Sequence, residues 1–133
     1  MELLVKPVLY AALLGVFLLF VRTIYLGRRV KDFRVFQSSV IAPHRKAGVR
    51  LWWAMLGFVV LIEGTVRLKG GSEFDLLLII HCASAVLSFI GLSLLTFWFT
   101  GFKTKHHGRI AYITFALFLV AAYIGIPMIQ SRF

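Results

Sequence analysis

The sequence predicts an all-α membrane protein, in which four transmembrane helices form one up-down-up-down bundle and a single domain over residues 1–133. The first observation is composition, because 60% of the 133 residues are hydrophobic. The second is that residues 76–102 and residues 110–130 contain no Asp, Glu, Lys or Arg. Each run has at least the roughly 20 apolar residues that a helix needs to cross a bilayer. The third is that basic residues cluster beside the apolar runs, as they do at the cytoplasmic ends of transmembrane helices.

The first two predicted spans cover residues 5–26 and residues 43–66. Pro43 is expected to begin the second helix, because proline has no N–H group to lose in the first turn. Trp52 and Trp53 follow about two turns later, and indole rings prefer the boundary between lipid and water. The second helix is therefore expected to enter the membrane near these tryptophans.

The last two predicted spans cover residues 74–102 and residues 106–128. Pro127 is expected to fray the final turn, because it lacks an N–H group and its ring crowds the preceding turn. Small residues recur at three- and four-residue steps from His81, and such a seam lets another helix approach closely. The residues expected to face the bundle are Ser84, Ser88 and Gly91. Cys82 is predicted to be a small side chain of the core.

The basic residues are distributed unevenly along the chain, which has a formal net charge of +10. Eleven lie between Arg22 and Arg50 or between Lys103 and Arg109, on the two predicted inner loops and the helix ends beside them. Four lie elsewhere. The positive-inside rule then predicts a multi-pass protein of the cytoplasmic membrane with both termini on the non-cytoplasmic side. Anionic lipid headgroups are the expected counter-charge, and nucleic acid is not expected as a partner.

His44 and His107 open the second and fourth predicted helices within a weak internal repeat, 63 residues apart. In the predicted bundle these helices are diagonal partners, with axes roughly 12–14 Å apart. Two inward-facing imidazoles, each with a nitrogen about 2 Å from iron, can span that gap. A b-type haem at the cytoplasmic end is therefore sterically possible. The alternative is that His44, His106 and His107 are solvated at the membrane surface, and the pattern does not decide whether His106 or His107 faces inward.

His81 is predicted to lie roughly 30 Å from the inner end of the third helix, too far away to join the other two histidines. Its depth is similar to that of Glu63, and ionisable groups inside a membrane are candidates for function. A Glu63–His81 pair is predicted to be a hydrogen bond, a proton relay or part of a second metal site. The alternative is that His81 only packs helices together through a hydrogen bond.

The order of these features resembles the small bacterial YozB/CtaM-type membrane proteins, over about residues 43–128. The resemblance rests on His44-Arg-Lys opening one span, His81 in the next, and His107-Gly-Arg-Ile opening the last, with Gly125 late in the final helix. It implies a part in the maturation of haem-copper terminal oxidases. The layout is similar, more distantly, to that of bis-histidine b-type membrane cytochromes.

Three functions are compatible with this pattern. The leading hypothesis is an accessory protein of respiration that binds haem or metal through His44, His81 and His107 and acts in electron transfer or oxidase assembly. The second is a cofactor-free structural subunit of a larger respiratory or photosynthetic membrane complex. The third is a quinone- or proton-linked membrane enzyme that uses Glu63 and His81. The sequence leaves open whether the chain is an enzyme.

Overall fold

The computed structural model describes residues 2–32, 38–68, 76–98 and 106–132, and nearly all of them are helical. Helix α1 is Glu2–Asp32, α2 is Ser38–Leu68, α3 is Leu76–Ser93 and α4 is His107–Arg132. A π-helical turn, Leu94–Trp98, continues α3. The four apolar spans are Leu4–Val30, Ile41–Arg67, Leu76–Trp98 and His107–Gln130, and each is long and apolar enough to cross a membrane. The predicted all-α fold with four such helices is confirmed, whereas the up-down-up-down passage through a bilayer stays a prediction.

Pro43 and Pro127 do not mark helix boundaries, although the sequence predicts that they do. Helix α2 begins at Ser38, so Pro43 lies inside it and the predicted start at Pro43 is wrong. Helix α4 continues through Pro127 to Arg132, so the predicted end near Met128 is also wrong. A proline removes one helical hydrogen bond. The apolar residues on both sides of it still need their backbone groups paired in lipid, and the helix provides that pairing.

All four helices contribute to one apolar core. Helices α1 and α2 pack against each other most extensively, and so do α3 and α4. Six buried side chains form the centre: Val16, Phe20, Leu51, Met55, Leu92 and Phe118. The Phe20 ring lies 5.3 Å from the Phe115 ring and 5.1 Å from the Phe118 ring, which joins α1 to α4. Most large apolar side chains outside this core are exposed, as expected for helices that face lipid.

The small-residue seam of α3 packs against α4. Ser88 is fully buried, and its hydroxyl donates to the Thr114 carbonyl oxygen at 3.0 Å. A Cβ atom on Gly91 would overlap the Thr114 side chain, so this pair of helices meets closely there. Ser84 is also buried. The prediction that Ser84, Ser88 and Gly91 face the bundle is confirmed. The prediction for Cys82 is wrong, because its side chain is exposed on another face of α3.

Trp52 links α2 to α3 rather than only marking an interface. Its indole Nε1 donates to the Ser93 hydroxyl at 2.8 Å, and that hydroxyl donates to the Phe89 carbonyl oxygen at 2.8 Å. The indole also lies 5.5 Å from the Phe89 ring and 5.2 Å from the Phe97 ring. By contrast, Trp53 is 62% exposed.

We expect Trp52→Phe to lower the free energy of unfolding by about 1 kcal/mol, because it removes the indole donor to Ser93. Trp53→Phe is the matched control and should change stability by less than about 0.5 kcal/mol, since its side chain is exposed. Unfolding of both variants in detergent micelles, followed by circular dichroism, measures the difference. Equal losses in the two variants would contradict a stabilising role for the Trp52–Ser93 hydrogen bond.

Candidate functional site

His44 and His107 meet at the end of the bundle where the basic residues cluster. Their ring centroids are 6.1 Å apart and their planes are inclined by 72°. Both side chains are partly buried, whereas the neighbouring His106 is exposed. In the described part of the chain, the backbones of α2 and α4 do not pack against each other, so the two rings bridge helices that are not direct neighbours. His107, and not His106, is therefore the inward-facing histidine.

A backbone carbonyl of α1 holds the His44 ring. Nδ1 of His44 lies 3.1 Å from the Thr23 carbonyl oxygen. A carbonyl can only accept, so Nδ1–H donates in the neutral imidazole and Nε2 keeps its lone pair. Gly27 makes this approach possible, because a Cβ atom there would lie 3.0 Å from Cε1 of the ring. Metal-binding histidines usually donate their second ring N–H to such an acceptor, which fixes the tautomer.

His81 is held in the same way, at the other end of the bundle. Its Nδ1 lies 2.8 Å from the Ala121 carbonyl oxygen of α4, and Nδ1–H donates there in the neutral ring. A Cβ atom on Gly125 would lie 2.8 Å from Cε1. In both cases the glycine follows the accepting residue by four positions, one helical turn later. The two histidines thus share one arrangement. Each imidazole packs against a glycine of a neighbouring helix and donates a hydrogen bond to the backbone carbonyl four residues before that glycine.

The three predicted ligand histidines do not form one cluster. Ala121 lies fourteen residues beyond His107, so His81 contacts α4 about 21 Å farther along that helix. Within the described ranges, no group of three or more His, Cys, Asp or Glu residues is placed to hold a metal ion. The candidate site is therefore the His44–His107 pair, and His81 stands apart from it.

Glu63 is not paired with His81. Its carboxylate is exposed, and Arg67 Nε donates to Oε1 at 2.7 Å one turn along α2. The His81 ring bonds to α4 instead. The predicted Glu63–His81 contact is therefore not found, because the exposed Glu63 carboxylate pairs with Arg67 and the His81 ring bonds to α4.

Two residues of the site, Thr23 and Gly27, were not predicted from the sequence. Thr23 contributes only its backbone oxygen, which carries no sequence signal, since every residue has one. Gly27 is visible as a glycine near the end of an apolar run. Glycine inside a helix lowers helix stability, so its presence there points to a close approach by another group. The identity of that group follows only from the packing of α1 against α2.

His44 and His107 offer two imidazole nitrogens, whose number and separation can be compared with what an iron or a zinc ion requires. Two imidazoles that each held one iron through a nitrogen about 2 Å away would have ring centres no more than about 6 Å apart. The observed centroid separation is 6.1 Å. A zinc ion takes four ligands, of which this pair supplies two. A metal held by this pair would therefore need further ligands, and a haem would bring its own. A comparison of the chain with protein-family models, curated proteins and solved structures found no match.

Proposed function

We propose that this chain is a membrane accessory protein of respiration that holds a haem, or a transition-metal ion, between His44 and His107. The observation that supports the proposal is the approach of two imidazoles from non-neighbouring helices to 6.1 Å. One of them already donates its Nδ1–H to a carbonyl and so presents Nε2. When bound, an iron with two histidine ligands supplies one-electron chemistry, which suits electron transfer or the assembly of a terminal oxidase.

The chain's own residues have separable roles in this proposal. The Thr23 carbonyl keeps the His44 ring in the tautomer that can ligate, and Gly27 gives the ring room. Arg45, Lys46 and Arg109 are exposed beside the two histidines. Their positive charge would attract the propionates of a haem or the phosphates of anionic lipid. The partner in this proposal is a larger respiratory complex in the same cytoplasmic membrane. The basic end of the bundle faces the cytoplasm.

A second candidate is a structural subunit without a cofactor, and one observation favours it. Both His44 and His81 already bond to the backbone of the neighbouring helix, which explains a polar ring in an apolar bundle without any ligand. Buried polar groups need such partners. A proton route through Glu63 and His81 has less support, because Glu63 pairs with Arg67.

The test is a titration of the purified protein in detergent, with haem under reducing and oxidising conditions and, separately, with Cu²⁺ and Zn²⁺. We expect the wild type to bind one haem per chain and to show the reduced-minus-oxidised bands of a b-type haem. His107→Ala should weaken binding by tenfold or more, because it removes one of the two protein ligands of the iron. His106→Ala, next to it and exposed, is the matched control and should bind like the wild type.

The opposite outcome is equally clear. If the wild type takes up neither haem nor metal at the His44–His107 pair, while it co-purifies in fixed proportion with oxidase subunits, the structural candidate replaces the cofactor proposal. If His106→Ala loses binding while His107→Ala keeps it, His106 is the ligand and the assignment to His107 is wrong.

A further inference from the structure

A surface groove runs along the seam between α1 and α2. It encloses about 300 Å³ and lies between Ala12, Gly15 and Leu19 on one helix and Ala54, Gly57 and Leu61 on the other. Cβ atoms added to Gly15 or Gly57 would meet nothing within 4 Å, so the lack of side chains at these two positions leaves open space in the groove. Both sides of the groove belong to helices that are apolar enough to cross a membrane. Its natural surroundings are therefore lipid chains.

Two arginines lie on the groove-facing sides of α1 and α2, beyond the end of the groove that is nearer to the basic end of the bundle. Arg22 follows Gly15 by seven positions, and Arg50 precedes Gly57 by seven, a spacing that keeps residues on one face of a helix. Both arginines are exposed. Where the structure describes the chain, neither forms an ion pair with a carboxylate. Their charges are left for a group outside the protein.

The register of α1 and α2 brings these arginines to about the same depth. His44 contacts α1 at Thr23 and Gly27, while the groove joins residues 12–19 of α1 to residues 54–61 of α2. The two helices therefore run in opposite directions. In that register Arg22 lies level with Arg50, about one helical turn from the end of the groove.

We propose that the groove and the two arginines bind one anionic phospholipid, with an acyl chain in the groove and its phosphate between Arg22 and Arg50. Charge complementarity selects this occupant, because arginine forms strong bidentate hydrogen bonds with phosphate. A helix of another protein would cover the apolar groove and leave two cations without a counter-charge. The groove extends over eight residues of each helix, and the seven rises between them give a length of about 10 Å. That length fits within one leaflet, which is half of the roughly 30 Å hydrocarbon core.

This lipid site is independent of the proposed function, since it shares no residue with the His44–His107 pair. It also gives the basic end of the bundle a specific contact in addition to general attraction to a charged surface. Anionic lipids are enriched in the cytoplasmic leaflet. A bound molecule there fixes the α1–α2 pair at a defined depth.

The experiment uses the full chain in nanodiscs of mixed phosphatidylglycerol and phosphatidylcholine, released into native mass spectrometry to count the lipids that stay bound. We expect the wild type to retain one phosphatidylglycerol in preference to phosphatidylcholine. Arg22→Gln with Arg50→Gln should reduce that preference at least tenfold. Gly57→Leu, which fills the groove, should reduce retention of the same molecule, and circular dichroism checks that each variant keeps its helices.

The matched control compares one arginine with another at the same end, Arg28→Gln against Arg22→Gln alone. Arg28 lies more than 100° around α1 from Arg22, and each substitution changes the net charge by the same amount. We expect the control to keep the preference for phosphatidylglycerol. Equal loss in Arg28→Gln and Arg22→Gln would overturn the proposal, because general charge would then explain the binding. Equal retention of both lipids by the wild type, or a dimer that carries no bound lipid, would overturn it too.

Discussion

Gly91→Ala is expected to lower the free energy of unfolding by about 2 kcal/mol, which is the largest loss we expect from adding one methyl group to this protein. The new Cβ atom would overlap Oγ1 of Thr114 and would lie 3.3 Å from its Cβ and 3.4 Å from its Cγ2. Thr114 is only 2% exposed, so rotating its side chain exchanges one clash for another. Overpacking of this kind costs about 1–3 kcal/mol, and the better helix propensity of alanine offsets part of that cost.

The measurement is reversible unfolding in mixed micelles. Gly64→Ala is the control, because a Cβ atom there would meet nothing within 4 Å, and this variant should be as stable as the wild type or slightly more stable. Thr114→Ala combined with Gly91→Ala should recover most of the loss, since it removes the atoms that clash. Failure of the double variant to recover stability would show that the backbone of α3, and not the Thr114 side chain, limits the approach of α4.

The second large loss of stability is expected from substitution of the glycine that packs against the His81 ring. Gly125→Ala should destabilise the bundle by about 1–2 kcal/mol, because its Cβ atom would lie 2.8 Å from Cε1 and 3.3 Å from Nδ1 of His81. The ring must then move away from the Ala121 carbonyl oxygen and lose its hydrogen bond. His81→Ala in the Gly125→Ala background should remove the clash. A stability unchanged by Gly125→Ala would mean that the ring has another position of equal energy.

Gly27→Ala is the counterpart at His44 and separates ligand binding from stability. Its Cβ atom would lie 3.0 Å from Cε1 of His44 and would displace the ring that the Thr23 carbonyl orients. We expect Gly27→Ala to weaken haem or metal binding about tenfold, in line with the loss of an orienting partner of a ligand. Gly125→Ala should leave the affinity unchanged, because His81 is far from the pair. Equal losses of affinity in the two variants would argue that both act through global stability.

Helical periodicity predicted the buried face of α3, whereas proline rules failed at the helix ends. Periodicity correctly placed Ser84 and Ser88 on the buried face of α3 with His81, because residues three and four apart share a face of any helix. The same geometry should have placed Cys82 elsewhere, as the structure does. The helix ends near Pro43 and Pro127 were predicted from local proline rules. In an apolar helix the need to pair backbone groups overrides those rules.

The sequence by itself determined the class of this protein, because the length of an uncharged run and the position of charges are local properties. They are enough to predict four helices that can cross a membrane and to bring His44 and His107 to the same end of the bundle. Only the tertiary structure decided which atoms meet between helices. The rotation of each helix about its axis determines these contacts. It brings His44 against Gly27 and His81 against Gly125, and it leaves Glu63 to pair with Arg67. That rotation is set by side-chain packing across the whole bundle, so no single stretch of sequence encodes it.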